Sequence, residues 1–185
     1  MSLFEYLAIA FTLVISTSVM RIADGLSDSF RGEESYWVYP GQLAVALAAN
    51  VAAFWNFWSF HEADWTFPRF VLAVSGPVAL YFGTATLVPS DRDDVTSWKV
   101  HSQAVRGRFY RSICAYSVLM ATTTTTLLGM GLDHPARGAQ LAMFVLGLVG
   151  ASTENERAHQ AIVVVTLVFG VIVLSTLAAR PGALT

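Results

Sequence analysis

The stretch 42–60, QLAVALAANVAAFWNFWSF, carries no charged residue over nineteen positions. A bilayer core of ~30 Å, at ~1.5 Å rise per residue, takes ~20 residues of helix. The stretch also has two unlike sides. At helical spacing Gln42, Ala46, Ala49, Asn50, Ala53 and Asn56 share one broad face, and Leu47, Val51, Trp55 and Trp58 share the other. Amides are costly in hydrocarbon unless they find partners, and small residues let helix backbones approach closely. The first face is therefore expected to look into protein and the second toward lipid. On that reading, added volume at Ala49 harms assembly more than added volume at Val51.

Composition extends the argument to the whole chain. The 185 residues are 55% hydrophobic and 13% charged, with mean hydropathy +0.54. A soluble domain has ~25% charged residues, so the deficit points to a membrane. A formal net charge of −2 gives no ground for a nucleic-acid partner. A single cysteine, Cys114, leaves no intrachain disulfide and reads as a small apolar filler. The first segment lacks a basic leader region and carries Glu5 where positive charge would stand, so it is expected as a mature span.

Six apolar segments follow one another: 3–20, 42–60, 70–88, 112–132, 136–153 and 161–179. Ile22, Leu26 and Phe30 continue the first pattern as an interfacial helix. Pro40 and Pro68 suit first turns, with Thr66 placed to cap, and Pro77 should kink the third span. The stretch 91–111 reads as a polar connection, helical in its latter half. The threonines 122–126 can bond back to the preceding turn. Nothing alternates with the period of two that a barrel needs. The expected fold is all-α: a polytopic transmembrane helical bundle of about six spans, forming one domain over 1–185.

Basic residues set the expected orientation. Arg21, Arg31, Arg92, Lys99, Arg106, Arg108, Arg111 and Arg157 follow spans one, three and five, against Arg69, Arg137 and Arg180 on the other side. That places the protein in the inner (plasma) membrane with both termini outside the cytoplasm.

Phe4-Glu5-Tyr6, Tyr36-Trp37, Phe54-Trp55 with Trp58, Trp65-Thr66-Phe67, Gly76-Pro77, and Tyr81 leading to Pro89 form a set of aromatic and proline placements over the first half of the chain. In these the chain resembles a family of small bacterial integral membrane proteins with about six helices, of uncharacterised activity. The resemblance implies a membrane bundle and carries over no functional residue.

Three constellations are candidates for function. Thr12, Ser16, Gln42, Asn50 and Asn56, with the threonines of span four, form a polar intramembrane face. It would line a path or pocket, or else fix packing through interhelical hydrogen bonds. Glu5, His61, Glu62, Asp64, Asp133 and His134 fall near the outer surface and are a candidate metal or proton site, though without HExxH-like spacing. Arg106, Arg108 and Arg111 suit anionic lipid headgroups. No lysine lies within a span, which excludes a retinal Schiff base. Histidine haem ligation would need the edge pairs His61 with His134 or His101 with His159. No cofactor is named by the sequence. The reading that follows is a non-enzymatic subunit or scaffold, with the lipid bilayer and further copies or other membrane proteins as partners. An ion or small-solute channel or transporter along span two is the alternative, and a metal or haem protein a weaker one.

Overall fold

Backbone polar groups in an apolar chain must bond within the segment, and here they do so as helices. The computed structural model describes residues 3–30, 36–91, 93 and 95–176, and among these there is no strand. Six helices follow in order: α1 Leu3–Ser29, α2 Val38–Asn56, α3 Phe67–Leu87, α4 Trp98–Leu128, α5 Ala136–Ser152 and α6 Glu156–Thr176. A 3-10 turn, Phe57–Phe60, prolongs α2. Arg31, Arg92 and Arg180 of the orientation argument lie outside the described residues.

The expected six spans become four on the physical criteria of length and apolar composition: α1, α2 with its 3-10 turn, α3 and α6. The other two helices fall short for different reasons. α4 begins at Trp98, so most of the presumed polar connection is helix, and its 31 residues mix an arginine-bearing first half with a threonine-rich second. α5 has 17 residues, or about 25 Å of helix, less than a hydrocarbon core.

Contacts between helices fix an up-and-down arrangement. Phe4 at the start of α1 stacks on Phe57 beyond the end of α2, with centroids 5.1 Å apart. Ser18 of α1 shares a 2.9 Å hydrogen bond with Thr84 of α3. Gly83 of α3 faces Ser112 of α4, and Thr123 of α4 donates to the Leu72 carbonyl. In that antiparallel register α3 ends level with about Arg108. The first ten residues of α4 therefore run past it, where Tyr39 stacks on Trp98 at 4.5 Å. α4 and α5 approach most closely at Gly147 and Gly150. A Cβ at Gly147 would lie 2.8 Å from Cys114 Sγ, and one at Gly150 would lie 2.7 Å from the Tyr110 ring.

Local signals act largely as their chemistry predicts. α1 runs unbroken through Ile22 and Leu26. Thr122, Thr123, Thr124 and Thr125 each donate to the carbonyl four residues back. Thr66 sits at the N-cap of α3 but makes no capping side-chain bond. Gly129 ends α4 in the left-handed conformation at φ 63°, and Met130 N–H closes the motif on the Thr124 carbonyl at 3.3 Å.

Candidate functional site

The polar face of α2 divides into groups used by the fold and a group left over. Gln42 is 1% exposed. Its Oε1 accepts from Ser102 Oγ at 2.8 Å, and its Nε2 reaches Tyr110 Oη of the same helix α4 at 3.5 Å. Asn50 is fully buried but bonds its own helix, Nδ2 to the Ala46 carbonyl at 2.8 Å, and its Oδ1 has no partner. Among the described residues Asn50 thus makes no bond to another helix, and its Nδ2 is spent on the carbonyl one turn back. Thr12 and Ser16 do not join this face. Both are exposed on the outer side of α1, whose inward residues are Leu7, Phe11, Ile15, Ser18, Ile22 and Gly25. The apolar periodicity of α1 turns Ser18 inward instead.

Asn56 borders a cavity of about 250 Å³ between α2, α4, α5 and α6 that is open on one side. The cavity follows from how α6 packs. Gly41 lets Val163 come so close that an added Cβ would sit 2.5 Å from Val163 Cγ1. The buried residues of α6 are His159, Ile162 and Val163, all in its first turns. Beyond them it faces a wall of small residues, Ala48, Ala49, Ala52 and Ala53 on α2, which leaves space unfilled. Ala49 therefore borders a void, so a larger side chain there has room. The expected penalty belongs to Ala46, which is 2% exposed and does not line the cavity.

The polar end of the cavity is formed by Asn56, Thr124 and Gln140. Behind it lies Arg137. Its guanidinium donates to the Ala121 carbonyl within α4 at 3.0 Å and to the Met130 and Gly131 carbonyls just past its end at 2.7 Å and 3.2 Å, and so ties the α4–α5 connection to α4. It also donates to Thr124 Oγ1, Thr125 Oγ1 and Gln140 Oε1. Gln140 in turn donates Nε2 to Thr124 Oγ1 at 3.3 Å. In sequence Arg137 entered only the orientation count, and Gln140 was not singled out. A basic residue in the first turn of an apolar helix, where the dipole disfavours it, was the available signal.

The remaining candidates disperse. His61 stacks on Trp58 at 5.0 Å and donates Nδ1 to the Trp58 carbonyl at 2.9 Å, with Nε2 3.5 Å from Glu62 Oε1. His134 Nδ1 accepts from Ala136 N–H. Glu5, Glu62, Asp64 and Asp133 are exposed. Among the described residues, no three His, Cys, Asp or Glu side chains form a group able to hold a metal. His101 Nε2 donates to the Leu87 carbonyl and His159 Nε2 to the Thr153 carbonyl, each tying two segments together. Of the three arginines, Arg106 is turned inward onto the end of α5, bonding the Thr153 carbonyl and the Glu154 carboxylate. Arg108 and Arg111 stay exposed. Tyr36, just ahead of α2, has its phenol pushed above its ordinary range by burial first and by the Glu156 carboxylate second, with Lys99 opposing.

Helices of this length and apolarity, closed around amide and hydroxyl bonds, define an all-α bundle of the membrane-protein class. Compared with known proteins, the chain matches no family model, no curated protein and no solved structure.

Proposed function

We propose that the protein is a non-enzymatic integral membrane bundle that serves as a subunit or scaffold in a membrane assembly, with its arginine-rich end in the cytoplasm and both ends of the chain on the far side. One observation carries this reading. Gln42, the polar residue best placed to line a path along α2, is closed off by Ser102 and Tyr110. Such bonds between helices hold packing in place. Basic residues support the orientation, since Lys99, Arg106, Arg108 and Arg157 gather where α4 and α6 begin.

A channel or transporter is the second reading, favoured by the cavity beside Asn56. The test is flux of protons, monovalent cations and small solutes in liposomes, with the oligomeric state and co-purifying membrane proteins measured on the same preparation. The scaffold reading expects no flux above empty liposomes and a defined assembly. Selective flux that Asn56→Leu abolishes would replace it with the transport reading.

A further inference from the structure

The cations at the arginine-rich end divide into those used by the fold and those left over. Lys99 pairs with Glu156 at 2.7 Å, and Arg106 is spent on the Thr153 carbonyl and the Glu154 carboxylate. Arg108 and Arg111 are exposed, and among the described residues neither pairs with a carboxylate. Arg111 makes one bond, donating Nε to the Gly107 carbonyl at 2.8 Å. That bond turns its guanidinium back along α4, toward the level of Arg108. Gly107 makes the room. A Cβ there would lie 3.4 Å from Arg111 Nη2 and would meet no other described neighbour from outside its own stretch of helix within 4 Å. Glycine weakens a helix interior, and no close approach of another helix calls for one here. The Arg111 guanidinium thus lies over a bare turn, with Nη1 and Nη2 uncommitted, on the same face of α4 as Arg108.

Depth and surroundings select what meets this pair. Arg108 is level with the end of α3, and the Arg111 backbone lies ~4.5 Å deeper at ~1.5 Å per residue. Further along the same exposed face come Ala115 and Val118, which are apolar. A phosphodiester offers oxygens to two guanidinium groups, and an acyl chain suits the apolar strip beneath. Phosphatidylcholine carries its own ammonium, so two cations without carboxylates favour a headgroup of net negative charge. An acidic partner in water would leave the strip unused. We propose that Arg108 and Arg111, the latter laid over Gly107, bind the phosphate of one anionic phospholipid whose acyl chain lies along Ala115 and Val118. The proposal rests on the bundle lying in lipid and goes beyond the scaffold reading.

The test uses the full chain in phosphatidylcholine nanodiscs doped with a phosphatidylglycerol that carries a photoactivatable acyl chain. Saturable labelling of the peptide containing Ala115 and Val118 is expected. Unlabelled phosphatidylglycerol should compete. Added phosphatidylcholine should not, nor should inorganic phosphate compared with chloride at equal ionic strength. Arg108→Gln and Arg111→Gln should each lower affinity about fivefold. Gly107→Leu keeps every charge but takes the space of the Arg111 guanidinium, and should lower affinity by a similar factor. Leucine is also the better helix former, so this variant keeps α4 intact. Arg157→Gln removes an exposed cation from the same end and should leave affinity unchanged. Labelling that does not saturate, or equal competition by phosphatidylcholine, overturns the site. Competition by inorganic phosphate overturns the lipid assignment in favour of a free anion. A loss from Arg157→Gln as large as that from Arg108→Gln means diffuse attraction and overturns the pair. Unchanged binding in Gly107→Leu overturns the placement of Arg111. Liposome flux bears on the functional reading alone, so failure of one is distinguishable from failure of the other.

Discussion

At Gln42 and Asn50 two similar amides, eight residues apart on one helix, have opposite energetic meaning. Gln42 joins α2 to α4 through Ser102 and Tyr110. Gln42→Leu should lower unfolding free energy by ~0.6–2 kcal/mol, and a double-mutant cycle with Ser102→Ala in a mild detergent should return a coupling energy rather than additivity. Asn50 offers a buried oxygen with no partner, so Asn50→Leu removes an unsatisfied acceptor. Stability unchanged within ~0.5 kcal/mol, or raised, is expected there. A loss as large as that of Gln42→Leu would mean that Asn50 has a partner. Arg137 is the third such residue. Arg137→Leu takes a donor from the Met130 and Gly131 carbonyls just past α4 and from the Ala121 carbonyl within it, which keeps the Thr125 hydroxyl. Thermal unfolding should show a loss of ~1–3 kcal/mol, with amide exchange speeding first in the last turn of α4.

Between elements, the tight contacts are set by glycine and the loose one by alanine. Gly150→Ala drives a methyl to 2.7 Å from a Tyr110 ring that is also stacked on His159, so the ring has little room to yield. A cost of ~1–3 kcal/mol is expected. Gly138→Ala on the same helix meets nothing within 4 Å and should stabilise by ~0.4–1 kcal/mol through the unfolded chain. Equal effects from the two would show that α5 does not pack on α4 as described. On α2, Ala46→Leu should disrupt folding where Ala49→Leu, beside the cavity, is tolerated. Unfolding midpoints of the two variants measured side by side decide it.

For the whole molecule, the alternating direction of six helices predicts sidedness. In a Cys114→Ala background, Asp64→Cys and His134→Cys should be labelled from one side of the membrane, and Asp93→Cys and Glu156→Cys from the other. The proposed orientation makes the second pair cytoplasmic. All four labelled from one side would sink the up-and-down arrangement, and a simple exchange of sides would sink only the orientation.

The sequence by itself determined the helical class, the two-sided character of α2 and the punctuation at Pro40 and Pro68. Periodicity, turn chemistry and backbone satisfaction are local, and so are readable along the chain. It also marked Gln42 and Asn56 as polar residues facing protein. It did not determine which amide found a partner, that Thr12 and Ser16 face outward while Ser18 faces in, or that α4 begins at Trp98. Nor did it disclose the cavity. Where α6 leaves α2 depends on how Val163 meets Gly41, and the role of Arg137 depends on the end of α4 lying beside the start of α5. Those are contacts between segments far apart in sequence, fixed only when volume and hydrogen-bonding capacity are matched in three dimensions.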